Sequence, residues 1–187
     1  VAMDLTTAEV YCAAVLADDK ALMKVFQDGG NFHSNIAKLV FNLPCEVDQV
    51  AEYYATERQM AKAVTFGIMY GAGPKKISEQ VSKDSGTYFS TSEAKEVIED
   101  YFKQFHRLKK WLDDSKTLIE KQAYLYSFFG RKRRLPNVKS TDKAIAAHEV
   151  RSGINALVQS VASDVNLLGA IDAHREVTAK KLPVKMF

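Results

Sequence analysis

The sequence predicts an α+β fold, mainly α, on three observations. Helical apolar periodicity with cap signals runs through most of the 187 residues. Strand-like patterning is confined to short runs at 1–5, 124–135 and 182–187. A stripe of residues at a constant spacing of four, Arg58, Lys62, Phe66 and Tyr70, ends abruptly on Gly71-Ala72-Gly73. With 47% hydrophobic and 26% charged residues the chain has the balance of a folded domain, and its length allows one reasonable core.

The elements follow in order. Val1 to Leu5 reads as a strand that delivers Asp4 and then turns helical, with Thr6 and Glu9 spaced as a capping box. Helical patterns follow over 7–17, 19–28, 32–42 and 48–54, broken by Gly29-Gly30 and by Pro44. The stripe occupies a helix over 56–70. Pro74 opens the next helix, because a first-turn residue needs no backbone N–H. Ser90 with Glu93 caps a helix to about 104, and a helix over 106–122 places Trp111 in the core. Tyr124 to Leu135 reads as a hairpin turning at Gly130. A helical region over 141–178, interrupted near Asn155 to Gln159, precedes a strand over Leu182–Phe187.

The stripe carries chemistry. Each step of four advances about 40° past a full turn, so the four side chains wind slowly along one face. Two cations and two rings on that face suit a ligand with both a polyphosphate and a flat base, which describes a nucleoside triphosphate. Asp4, at a strand end, is a rigid oxygen ligand for a hard cation such as Mg²⁺.

Taken together, Asp4-Leu5-Thr6-Thr7-Ala8-Glu9 and Arg58-x-x-x-Lys62-x-x-x-Phe66-x-x-x-Tyr70-Gly71 resemble motifs A and B of the family A DNA polymerases. Phe129-Gly130-Arg131-Lys132-Arg133-Arg134-Leu135-Pro136, Arg151-x-x-x-Asn155-x-x-x-Gln159 and the segment Val25 to His33 fall where that family has its own versions, so the resemblance covers the whole chain. It implies helical fingers with part of a polymerase palm: 1–18 a palm segment with motif A, 19–122 the fingers, and 123–187 the palm–fingers junction and a palm segment. It also implies template-directed transfer of a nucleotide from a dNTP to a primer 3′-hydroxyl, with two Mg²⁺ ions in the complete enzyme. Primer–template DNA and dNTPs are the implied partners, and the resemblance admits a processivity factor.

Roles carry over by position. Asp4 and the carbonyl of Leu5 would hold the metal, with Asp4 and Lys62 catalytic. His33, Arg58 and Lys62 would meet the phosphates, the last most strongly in the transition state. Glu9 would exclude a 2′-hydroxyl, Phe66 would discriminate against a missing 3′-hydroxyl, and Tyr70 would pack near the templating pair. Arg151, Asn155 and Gln159 would read the minor groove, whose acceptors are nearly sequence-independent, and Arg131 and Arg134 would contact phosphates.

Departures exist. Leu5 stands where an aromatic residue is common, and Ser160-Val161-Ala162-Ser163 replaces a glycine-threonine-alanine-alanine run. The histidine-aspartate motif C is absent, so the chain reads as a piece that would not polymerise alone. A phage-type single-subunit RNA polymerase fragment and a non-catalytic nucleic-acid-binding helical module are the alternatives; Glu9 and Phe66 disfavour the first, and downstream sequence would decide the second.

Net charge is only +3, but Arg131 to Arg134 are contiguous and Lys75 and Lys76 follow the glycine stop, which suits a polyanionic partner. Cys12 and Cys45 lack the spacing of a zinc site and read as plain thiols of a reducing, cytoplasmic compartment, bacterial or phage-infected. No apolar run is expected to approach the roughly 20 residues that cross a bilayer, so no membrane partner is expected.

Overall fold

A computed structural model describes residues 7–184; the predicted strand at 1–5, Asp4, Leu5 and Thr6 lie outside that range. The described residues form helices α1 (Ala8–Leu16), α2 (Lys20–Gln27), α3 (Phe32–Phe41), α4 (Val50–Tyr53), α5 (Ala55–Met69), α6 (Pro74–Ser85), α7 (Thr91–Gln104), α8 (His106–Gln122) and α9 (Lys143–Ala179). A single antiparallel hairpin, β1 (Tyr124–Tyr126) with β2 (Lys132–Arg134), sits between α8 and α9.

Local chemistry sets most boundaries. Asn31 caps α3 by accepting from the His33 and Ser34 amides at 3.1 and 3.2 Å. Ser90 and Glu93 form the expected reciprocal box, with the Glu93 amide donating to Ser90 at 3.1 Å and the Ser90 amide to Glu93 at 2.8 Å. Pro74 occupies the first turn of α6, which ends on Gly86 in the left-handed region. At α1, Thr7 takes the cap position and its side chain makes no capping bond.

The main core joins α1, α2, α3, α5, α6, α7 and α8 through Val10, Leu22, Ile36, Val64, Ile77, Tyr101, Phe105 and Leu108. Burying each such side chain contributes about 1.5–3 kcal/mol, so this cluster dominates the fold. Within it, the buried carboxylate of Asp19 accepts from the Leu22 amide at 3.0 Å and from the Leu108 amide at 2.9 Å. One side chain therefore caps α2 and ties the first turn of α8 to it, across 89 residues of sequence. Trp111 is half-buried at the margin of this core rather than inside it.

A second, smaller core of Ile119, Leu125, Leu135, Val138 and Val150 lies beneath the hairpin. Helix α9 serves both cores, through Val150 here and Val158 in the main one. It runs unbroken from Lys143 to Ala179, which corrects the expected interruption near Asn155 to Gln159. The segment holds no proline, so nothing there interrupts the helical hydrogen bonds. Gly153 is required by packing: a Cβ there would meet Leu135 Cδ1 at 2.7 Å.

Two further expectations change. Leu182 to Val184 form no strand, and the remainder of that run lies outside the described residues. In α9, an 18-residue window of mean hydropathy 1.2 is long and apolar enough to cross a bilayer, contrary to the expectation that no run approaches that length. Asn155, Gln159 and the ion-paired Asp164 lie along that helix, and such groups are costly in hydrocarbon. Its outer half exposes Val165, Leu167 and Leu168.

Candidate functional site

Helix α5 buries Ala61, Val64, Thr65, Ile68 and Met69 and so turns the Arg58, Lys62, Phe66 and Tyr70 stripe away from the core. Gly67 allows α6 to approach, since a Cβ there would lie 2.6 Å from Ile77 Cγ1. The helix ends at Tyr70, and Gly71, with φ +67°, reverses the chain at a conformation other residues adopt only with strain.

On the outward face the two rings stack, Phe66 and Tyr70 having centroids 6.4 Å apart and planes 13° from parallel. His33, delivered by the first turn of α3, lies 5.7 Å from the Phe66 ring. Behind it runs a ladder that sequence reasoning missed: Phe32 to His33 at 5.3 Å, Phe26 to Phe32 at 4.5 Å, and Tyr11 to Phe26 at 5.1 Å. Rings from α1, α2, α3 and α5 thus support one another. Helical spacing inside each segment gives no sign of this, because the ladder passes between helices.

The electrostatics are set by cations that no carboxylate pairs among the described residues. Among the described residues, neither Arg58 nor Lys62 forms an ion pair. Arg58 Nε and His33 Nδ1 are buried without a hydrogen-bond partner among the same residues. Burial first, then the Lys62 and Arg58 charges, pull the His33 pKa down from 6.5 to about 4. His33 is therefore neutral at pH 7.

Glu9, in the first turn of α1, is half-buried and close enough to Tyr70 to act on it; burial, then the Glu9 charge, raises the Tyr70 pKa. This brings the described part of the motif A segment up to the stripe. Asp4 and Leu5 lie outside the described residues, and among those residues no cluster of three or more His, Cys, Asp or Glu has the geometry to hold a metal.

A cavity of about 670 Å³ opens beside the stripe, lined by Lys62, Phe66, Tyr70, Gly73, Lys76 and Arg151. Arg151 reaches it from α9 by lying across Gly71, where a Cβ would come within 2.8 Å of its Cγ. The absent side chain of Gly71 is what lets the two motifs meet. Asn155 and Gln159 continue along α9 at helical spacing, half-buried and exposed respectively.

The basic run does not act as a block. Arg134 is exposed; Lys132 Nζ lies 4.0 Å from the Tyr124 ring centroid; Arg133 donates to Ser152 Oγ at 2.9 Å. Arg131 is held by both oxygens of Asp164, each bond 2.7 Å. Structure thus assembles His33, Arg58, Lys62, Phe66, Tyr70, Glu9 and Arg151 into one region, with Gln159 farther along α9 and Arg131 engaged elsewhere.

The sequence profile described as DNA polymerase family A matches residues 1–187. The DNA polymerase of Escherichia phage T5 is 45% identical over 203 residues, covering 100% of this chain and 24% of that protein. The thermostable DNA polymerase I of Thermus thermophilus is 31% identical over 188 residues, covering 97% of this chain and 21% of that protein. The chain thus spans between about a fifth and a quarter of these relatives. Among solved structures, the POL domain of Pol1 from M. smegmatis, in complex with DNA primer-template and dNTP, matches with a TM-score of 0.83 and 27% identity, over 96% of this chain and 30% of that one. The mainly helical fold with few strands is therefore that of a polymerase domain, and the chain belongs to DNA polymerase family A.

Proposed function

We propose that this chain is the fingers and part of the palm of a template-directed DNA polymerase. Residues 1–18 carry the metal-binding palm segment, 19–122 the fingers, and 123–187 the junction and a further palm segment. The observation that carries the reading is the joint placement of His33, Arg58, Lys62, Phe66 and Tyr70 on one surface, without carboxylate partners among the described residues.

In this reading, Arg58, Lys62 and His33 bind the triphosphate of an incoming dNTP. Lys62 is exposed and its side chain is long and flexible in kind, so it can follow charge toward the leaving pyrophosphate and stabilise the transition state more than the ground state. Neutral His33 can donate from one ring nitrogen without adding a fixed charge. The Phe66 and Tyr70 rings supply a flat wall for sugar and base, and Glu9 closes the side where a ribose 2′-hydroxyl would lie. Arg151, Asn155 and Gln159 face the minor groove of the primer–template, and Arg134 a phosphate.

The donors left for metal are the Asp4 carboxylate and the Leu5 carbonyl, oxygen ligands of the kind a hard cation takes, and these would hold Mg²⁺. When bound, two such ions supply Lewis-acid stabilisation of the attacking and leaving oxygens. A processivity factor and action in the cytoplasm of a bacterium or phage-infected host complete the proposal.

The test is single-nucleotide extension of a DNA primer–template by the full-length protein. Incorporation of dNTP in strong preference to rNTP is expected. Extension indifferent to Lys62→Ala, or a preference for rNTP, would overturn the reading.

A further inference from the structure

The hairpin and α9 meet at two arginines that take different partners on the same helix. Arg133 donates to Ser152 Oγ at 2.9 Å, and Arg131 makes a two-bond pair with Asp164 at 2.7 Å each. Residues two apart on an extended chain face the same way, so both arginines reach toward α9 while Lys132 turns back over Tyr124. Ser152 and Asp164 are 12 positions apart, about 18 Å along a helix. The hairpin is thus pinned at two well-separated points.

Between the pins lies a polar groove of about 420 Å³, lined by Ser127, Arg131, Lys132, Arg133, Gln159 and Ser160. The loop end is closed on itself, the Ser127 amide donating to the Arg131 carbonyl at 2.9 Å and the Arg131 amide to Ser127 Oγ at 3.0 Å. The Asp164 side chain is only 13% exposed, against 60% for Arg131. A carboxylate so covered needs its partner, and a planar guanidinium that satisfies both oxygens is held in one orientation by that pairing.

We infer that Arg131 and Asp164 form a positioning pair that fixes the hairpin over α9 and so shapes the groove presenting Gln159 to duplex DNA. Asp164, a negative charge beside a polyanion's path, supports binding through Arg131. This rests on the DNA reading above, and it makes Arg131 a scaffold residue in place of a phosphate contact.

The two roles predict opposite signs. For a positioning pair, Asp164→Asn and Arg131→Gln in the full-length protein each weaken primer–template binding about 3–10-fold, with the salt slope of log Kd unchanged, and the exchanged pair Arg131→Asp with Asp164→Arg recovers most of the loss. Amide exchange at Gly130 and Arg131 rises in both single variants, with thermal unfolding confirming that each remains folded. For a phosphate contact, Asp164→Asn frees the guanidinium and removes a repelling charge, so binding tightens or holds, while Arg131→Gln lowers the salt slope by about one. That second pattern, or no change in either variant, overturns the inference while leaving the DNA reading intact. Failure of the wild-type protein to bind primer–template at all overturns both.

Discussion

The two arginine-bearing regions differ in what their charges face. Around α5, among the described residues, Arg58 and Lys62 have no acidic partner, and Arg58 Nε and His33 Nδ1 are buried without a hydrogen-bond partner. At the hairpin, Arg131 and Arg133 are engaged by Asp164 and Ser152. Contiguity in sequence made the second region look like a surface for a polyanion. Partnering makes it the better scaffold, because a carboxylate already neutralises the Arg131 charge and fixes the plane of its guanidinium. Unsatisfied cations beside a cavity mark the ligand; satisfied ones mark the frame.

The sharpest way to break this contrast is at Lys62. In the full-length protein, Lys62→Ala is expected to lower kcat/KM for dNTP incorporation by about 10²–10³-fold, an electrostatic loss concentrated in kcat. A change of only a few-fold, seen in single-turnover kinetics, would remove the distinction between the regions.

Next comes the seam between them. Gly71→Ala adds a Cβ at φ +67° and 2.8 Å from Arg151 Cγ, so it should destabilise by about 1–3 kcal/mol, read from urea unfolding, and also weaken nucleotide binding. A variant as stable as the parent would mean that the two motifs are not in contact there.

Phe66→Tyr addresses the stacked wall: the added hydroxyl should relax discrimination against dideoxynucleotides, measured as the ratio of dNTP to ddNTP incorporation. An unchanged ratio would detach Phe66 from the sugar.

His33 gives a smaller, pH-resolved effect. Folding depresses its pKa to about 4, so between about 4 and 6.5 the unfolded chain binds a proton that the folded chain does not. Stability should therefore be lost as pH falls through that window, and His33→Gln should flatten the loss. Triphosphate binding favours the imidazolium, so affinity should rise as pH drops from 7 toward 5 in the parent beyond any rise in the variant. Parallel pH profiles would sink the assignment.

The smallest effect is at Arg134. Being exposed and outside the Asp164 pair, Arg134→Ala should lower the salt slope of primer–template binding by about one, with little change in stability. No change in slope would leave the basic run without a DNA-facing member.

Much was determined by the sequence alone. The spacing of four from Arg58 to Tyr70, the Gly71 stop, Pro74, and the Ser90 and Glu93 box fixed helices and boundaries, because caps and helical periodicity are local properties of a dozen residues or fewer. The same stripe indicated the ligand chemistry. Tertiary structure alone decided the rest. The Tyr11 to Phe66 ladder, the Asp19 tie between α2 and α8, the Arg151 approach across Gly71 and the Arg131 pair with Asp164 all join residues whose separation in sequence carries no periodic signal. Periodicity also gave no reason for α9 to run unbroken through Asn155 to Gln159; two separate cores hold that helix. Local rules state which face a residue occupies, and only packing states what that face meets.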